Sequence, residues 1–250
     1  AKAISPQFIL QNNVYITSTT SLEYGGVGHA VLGTFIIVGL TTLVTVPLGI
    51  ALAVYLTETY GKARGAVRTL VQAMSGLPSV VAGLFVYAAL ITTGFTKYAG
   101  WLGSLALIPL MLPTVTRVAE EGLRLVPVEL RNGALALGAP SYRAFFMVTL
   151  PAAKSGIITA VLLGIARIIG ETAPLLIVAG FTQSMNYNPF FERMMTLPVF
   201  VYSSYSSQGA DAQAYIDRAW AGALVLIVLV LALNLGARAL SAYFNRKLSR

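Results

Sequence analysis

A chain of 250 residues that is 56% hydrophobic and only 10% charged cannot clothe a soluble domain, which carries about 25% charged residues. It has no cysteine and a single histidine, His29, which excludes disulfides, thiolate metal sites and cysteine catalysis and leaves no histidine cluster to bind a metal or serve a triad. Its net charge of +8 has to be explained by where the basic residues fall.

Residues 1–28 are polar and mixed, with Asn12, Asn13 and a run of Ser and Thr, and read as an exposed segment outside the membrane. His29 sits beside Gly28 as an interfacial residue. Four runs then carry no Asp, Glu, Lys or Arg: Tyr24 to Thr57, Thr69 to Thr96, Tyr98 to Thr116 and Ala219 to Ala237. A helix of roughly 20 apolar residues crosses the bilayer core. The pattern predicts five spans, at 29–57, 67–93, 99–126, 151–182 and 219–243. Helix is the expected state, because lipid offers no partner to an unpaired backbone group; the short alternating segments of a β-barrel are absent. Pro47, Pro78, Pro109, Pro113 and Pro174 fall inside these spans and are expected to kink them. Gly33, Gly39 and Gly49 in span one and Gly76 and Gly83 in span two predict close helix packing.

Basic residues in short loops set orientation. Lys62, Arg64, Arg68, Arg117, Arg124, Arg131, Arg143, Lys154, Arg238, Arg246, Lys247 and Arg250 fall on one side; Lys2, Lys97, Arg193 and Arg218 fall on the other. The crowded side is read as cytoplasmic, which places the N-terminus of this chain outside and the C-terminus inside. The same distribution accounts for the net charge without nucleic acid. Segment 183–218 is then the longest outside loop.

The segment between spans three and four, Val126 to Pro151, reads VPVELRNGALALGAPSYRAFFMVTLP. Leu130, Ala134 and Leu137 recur at helical spacing. Gly138 is placed to stop that helix and Pro140 to start another. Gly133, Ala134 and Ala136 give it a face with little side-chain bulk, suited to a partner's groove.

In span four, Arg167 and Glu171 are four residues apart and share a helix face. A charge at the membrane centre costs on the order of 2.5–3.5 kcal/mol. The two are therefore expected to face protein or water rather than lipid. They form either a self-neutralising lock between helices or a site where Arg167 meets an anion held in guanidinium fork geometry.

Two features of the sequence resemble a known family. Asn132-Gly133-Ala134, three residues, Gly138, nine residues and Val148-Thr149-Leu150-Pro151 match the spacing of the E-A-A…G…I-x-L-P loop of bacterial ABC importer membrane subunits. Asn stands for the usual Glu and Gly for the usual Ala. The runs IARIIGETAPLL (Ile165 to Leu176), GLPSVVAGLF (Gly76 to Phe85) and AEEGLRLVP (Ala119 to Pro127) are similar to the PstA-type permeases of phosphate-specific importers. The likeness covers nearly the whole chain.

The resemblance implies an all-α, MetI-like polytopic bundle over 29–250. It implies a cytoplasmic coupling loop at 127–150, docking through Leu130, Asn132, Gly133, Ala134, Leu137, Gly138, Leu150 and Pro151. It implies a substrate pathway at Arg167 and Glu171 with Thr172, and with Ser75 and Ser79 beside the Pro-broken stretch of span two. The implied partners are a homologous second permease, a dimer of ATP-binding subunits, an extracytoplasmic phosphate-binding protein, inorganic phosphate and the bilayer of a bacterial cytoplasmic membrane. Such permeases have six spans, so a first span is expected to precede residue 1. No G-x-x-x-x-G-K-[ST] loop occurs, so ATP and Mg are expected in the partner, and no catalytic residue, metal or cofactor is assigned here. The alternatives are an importer of another oxyanion such as sulfate or molybdate, a self-contained channel or secondary transporter, and a membrane enzyme using Glu171 as acid or base.

Overall fold

The computed structural model describes residues 6–14, 25–206 and 212–248, with side chains described for all of these except 212 and 237–248. The elements are helices: α1 (Pro6–Leu10), α2 (Gly28–Glu58), α3 (Lys62–Ser75), α4 (Ser79–Val86), α5 (Gly100–Arg124), α6 (Val128–Ala136), α7 (Ser141–Ala144), α8 (Leu150–Ala152), α9 (Lys154–Ile168), α10 (Ala173–Val178), α11 (Leu197–Ser206) and α12 (Ala212–Leu248). Two π-helical turns, Tyr87–Ile91 and Phe145–Thr149, continue α4 and α7. Of the expected exposed N-terminal segment, residues 1–5 and 15–24 lie outside the described residues. So do Lys2 and the side chains of Arg238, Arg246, Lys247 and Arg250.

Among the described residues, three helices are long and apolar enough to cross a membrane: Gly28–Glu58, Gly100–Arg124 and Gln213–Gly236. The number rises to five when each of two bent helix pairs counts as one span. At about 1.5 Å per residue, the 31 residues of α2 rise about 46 Å. Two of its buried threonines spend their hydroxyls on their own helix, Thr34 Oγ1 donating to the Ala30 carbonyl and Thr41 Oγ1 to that of Ile37, both at 2.7 Å.

Spans two and four are not the continuous helices expected. The 67–93 stretch is split at 76–78 into α3 and α4. The 151–182 stretch is split twice: Ser141–Ala152 bends by 64° against Lys154–Ile168, and the helix stops again at Ile168 and restarts at Ala173. A proline ring clashes with the carbonyl four residues earlier and offers no N–H. For Pro174 that carbonyl belongs to Gly170, where the chain turns instead, with Glu171 N–H bonded to the Ile168 carbonyl at 3.1 Å. Pro109 and Pro113, by contrast, sit inside an unbroken α5.

The chain divides into two compact units. One comprises Ala1–Thr41, Leu77–Pro109 and Arg167–Leu233, the other Thr42–Gly76, Leu110–Ala166 and Asn234–Arg250. In the first unit, Val86, Leu102, Ala106 and Val178 form a buried cluster. There α4 lies directly on α10; a Cβ at Gly83 would come within 2.7 Å of Pro174 Cα. Ser104 Oγ donates to the Ile37 carbonyl at 3.0 Å, joining α5 to α2. The expected outside loop 183–218 contains the largely buried helix α11. Its first N–H, on Leu197, is taken up by Thr34 Oγ1 at 2.9 Å, which satisfies a donor that no helix can satisfy by itself. Arg218, expected in that loop, is buried in α12 at 2% exposure.

The second unit is built on Ala53, Ala119, Leu123, Phe145, Ala153 and Ala160. In it α5 and α9 approach closely, where Gly122 and Gly156 meet backbone to backbone. A Cβ at either position would lie under 3.0 Å from the other glycine's Cα.

Candidate functional site

Arg167 stands in the last turn of α9 and Glu171 in the non-helical stretch before α10. Arg167 Nη1 donates to Glu171 Oε1 at 2.5 Å. The guanidinium is 47% exposed and the carboxylate only 13%. The expected pairing therefore forms across a helix end rather than along an unbroken helix face. Glu171 is held in by the turn that Pro174 enforces, and the arginine keeps N–H groups open for a second acceptor. Thr172 occupies the N-cap of α10, with no hydrogen bond from its side chain to the helix; its carbonyl accepts from Leu176 N–H at 2.9 Å.

The two serines fare differently. Ser75 lies in the other unit, and its hydroxyl is taken up by its own helix, 2.8 Å from the Gln72 carbonyl. Ser79 opens α4, the helix that packs on α10 in the same unit as Arg167.

The 127–150 segment is a helix, a stop and a second helix. Pro127 caps α6. At its other end Ala139 N–H bonds to the Ala134 carbonyl at 3.1 Å and Gly138 N–H to that of Leu135 at 2.9 Å, with Gly138 at φ +84. This is the Schellman stop, whose left-handed residue favours glycine. Pro140 then caps α7. Phe145 and Leu150 anchor the segment in the core of its unit, whereas Pro151 is exposed. Outward, Leu130, Leu137, Tyr142, Phe146 and Met147 are between 49% and 91% exposed, and Asn132 is exposed with them. A Cβ at Gly133 would touch nothing. The segment thus presents a small-residue surface ringed by bare apolar side chains, and exposed apolar patches of this kind are characteristic of interaction sites.

Among the described residues, three further ion pairs form on two carboxylates. Arg131 on α6 bonds both carboxylate oxygens of Glu58, and Glu120 accepts from Arg68 at 2.5 Å and Arg124 at 2.7 Å. Only the Glu120–Arg124 spacing of four was visible in sequence; the other partners are 52 and 73 residues apart.

Residues 45–250 match the family model described as "Binding-protein-dependent transport system inner membrane component". Over 215 residues the chain is 42% identical to the phosphate transport system permease protein PstA 1 of Mycobacterium tuberculosis (strain CDC 1551 / Oshkosh), covering 85% of this chain and 69% of that protein. The chain belongs to the PstA family of ABC transporter permeases. The PstA protein of Haemophilus influenzae is 40% identical over 218 residues, 86% of this permease and 76% of that protein. Among solved structures, an inward-facing MetNI methionine ABC transporter superposes with a TM-score of 0.65 at 18% identity, covering 87% of this permease and 94% of that chain. A bacterial transporter for alginate gives 0.64 at 18% identity, covering 86% and 78%. These two likenesses establish the MetI-like fold. The permease is accordingly a multi-pass protein of the inner membrane.

Proposed function

We propose that this permease carries inorganic phosphate inward as one of two homologous membrane subunits. A dimer of ATP-binding subunits docks on the 127–150 segment and supplies ATP and Mg, and an extracytoplasmic binding protein delivers the phosphate. The substrate comes from the PstA relatives. The observation that carries the mechanism is the Arg167–Glu171 pair at a break in a membrane helix. Non-helical backbone at membrane depth is tolerated only where it is buried in protein or lines a watery cavity, and intramembrane charges mark ion pathways.

In this reading Arg167 offers its fork to phosphate oxygens as the ion passes. Glu171 holds the arginine between passages and accepts a hydrogen bond from a protonated phosphate oxygen. Thr172 and Ser79 supply hydroxyls in the same unit, while Ser75 contributes through the bend at 76–78 rather than by its side chain. Leu130, Asn132, Gly133, Ala134 and Leu137 form the docked face, Gly138 sets its end, and Leu150 and Pro151 lead it back into the membrane. The basic residues of α3, α6 and α7 then lie on the cytoplasmic side, with the C-terminus.

Uptake by the reconstituted complex, with phosphate, sulfate and molybdate in competition, tests this. ATP-dependent phosphate uptake unaffected by a tenfold excess of sulfate or molybdate is expected. Preferred uptake of either competitor would replace phosphate as the substrate, and transport without the ATP-binding subunits would replace the importer.

A further inference from the structure

Among the described residues, four guanidiniums, those of Arg68, Arg124, Arg131 and Arg167, each take a carboxylate. Arg193 does not, although it is as firmly placed as they are. Its stem lies on Gly180, whose φ of +79 and missing side chain make the room: a Cβ there would stand 3.0 Å from Arg193 Cγ and 3.1 Å from Cδ. Its guanidinium lies over the Tyr98 ring, 5.1 Å from the centroid, a cation–π contact that fixes position without consuming N–H donors. Its backbone is pinned on both sides. Met194 N–H bonds to the Ala179 carbonyl at 3.1 Å, and Asn186 Nδ2 bonds to the carbonyls of Phe191 at 2.9 Å and Arg193 at 3.1 Å.

This arginine faces a cavity of about 650 Å³, lined also by Thr96, Lys97, Tyr98, Thr182 and Glu192. Lys97, Glu192 and Arg193 form no ion pair with one another or with any other described residue. The positioned Arg193 and the exposed Lys97 set two cations around this cavity, and its carboxylate, Glu192, is paired with neither; with the hydroxyls of Thr96 and Thr182 beside them they make an anion site. Glu192 restricts the anion. A carboxylate repels an oxyanion unless one of its oxygens bears a proton to donate. A site built around such a hydrogen bond rejects the analogue that lacks it.

We infer that this cavity is a second oxyanion site, distinct from Arg167 and Glu171, which takes a protonated tetrahedral anion, hydrogen phosphate, through Lys97 and Arg193 and reads its proton through Glu192. The inference builds on the phosphate reading above and on the charge distribution that places Lys97 and Arg193 on the outer side. There the cavity would receive the ion before Arg167 does. The phosphodiester of a lipid such as phosphatidylglycerol shares much of this chemistry but carries no proton for Glu192, so free phosphate is the occupant.

The test uses the assembled complex of permeases and ATP-binding subunits without the binding protein. It measures broadening of the phosphorus NMR line of inorganic phosphate. Lys97→Gln and Arg193→Gln should each weaken binding at least threefold, and together abolish it at this site, while Arg193→Lys retains most of it and Arg167→Gln leaves it in place. Sulfate at equal concentration should displace phosphate from Glu192→Gln but not from the unaltered complex. Broadening untouched by the Lys97 and Arg193 changes, or lost with Arg167→Gln alone, overturns the inference. So does displacement of phosphate by phosphatidylglycerol but not by phosphatidylcholine in nanodiscs, which would make a lipid headgroup the occupant. If Arg193→Gln does not assemble, the exposed Lys97→Gln carries the same comparison. Phosphate uptake by the unaltered complex is measured in parallel. Failure of uptake counts against the transported substrate, and failure of the binding pattern counts against this cavity.

Discussion

Arg131, in the first turns of α6, donates from Nη1 and Nη2 to the two carboxylate oxygens of Glu58, the last residue of α2, at 2.9 and 2.7 Å. A forked pair of this kind fixes angle as well as distance. It ties α6, the helix proposed to dock, to the end of the longest apolar helix of the first half of the chain. The chain on either side of α6 is anchored separately in the core of the unit, by Val126 before it and Phe145 and Leu150 after it.

The link predicts a coupling phenotype. Both partners are partly exposed, at 32% and 23%, so its worth is about 1 kcal/mol, too little for its loss to unfold the unit. Glu58→Gln and Arg131→Gln should each leave the complex assembled but lower phosphate moved per ATP hydrolysed about threefold or more. The charge swap Glu58→Arg with Arg131→Glu should restore part of that ratio. Equal transport-to-ATPase ratios in all variants would show that the pair does not carry motion between the two helices.

Gly122 and Gly156 make a prediction about packing. Each leaves no room for even a methyl group from the other, and inserting side chains into a tight contact costs about 1–3 kcal/mol. Gly156→Val should reduce the amount of permease recovered in the membrane and lower the melting temperature of the purified complex. Gly133→Ala, whose Cβ meets nothing, is the control and should melt as the unaltered protein does. A Gly156→Val complex as stable as that control would mean that α5 and α9 do not meet as described.

At Gly138 the cost is in the backbone alone, because a Cβ there meets nothing within 4 Å but φ is +84. A non-glycine residue in this region costs about 1–2 kcal/mol. Gly138→Asn, which tolerates the left-handed region, should keep co-purification of the ATP-binding subunit. Gly138→Asp adds a charge to the docked face and should lose it along with ATPase stimulation. Retention of both by Gly138→Asp would argue that the docked surface lies elsewhere.

The stop at Gly138 and the start at Pro140 were legible because a helix ended by glycine and restarted by proline is local chemistry. The charge-free runs were legible as membrane helices for the same reason. What composition could not decide was which prolines break. Pro78 and Pro174 follow glycines by two and four residues, at Gly76 and Gly170, and both end a helix. Pro109 and Pro113 have no glycine within four residues before them, and the largely buried α5 runs through both. Helix α11 was hidden in a segment read as loop, although Thr196-Leu197-Pro198 is a legible helix start with proline in the first turn. The Glu58–Arg131 pair had no such local mark: only the fold brings residues 73 apart together.

The role of Arg167 and Glu171 rests on a distinction that single substitutions blur. Removing Arg167 strands the largely covered Glu171 carboxylate, 13% exposed, without its counter-charge inside a membrane span. Arg167→Ala therefore loses transport whether the pair binds phosphate or merely locks two segments. Neutralising both partners separates the roles, because a lock can be replaced by uncharged groups of similar size while a phosphate ligand cannot. Arg167→Gln combined with Glu171→Gln should assemble fully, bind the ATP-binding subunit and hydrolyse ATP, yet import phosphate at less than a hundredth of the normal rate. Arg167→Lys should import slowly, since it restores the charge without the fork. Import within threefold of normal by the doubly neutral variant would leave the pair as a structural lock. The path of phosphate would then have to be sought elsewhere in the bundle.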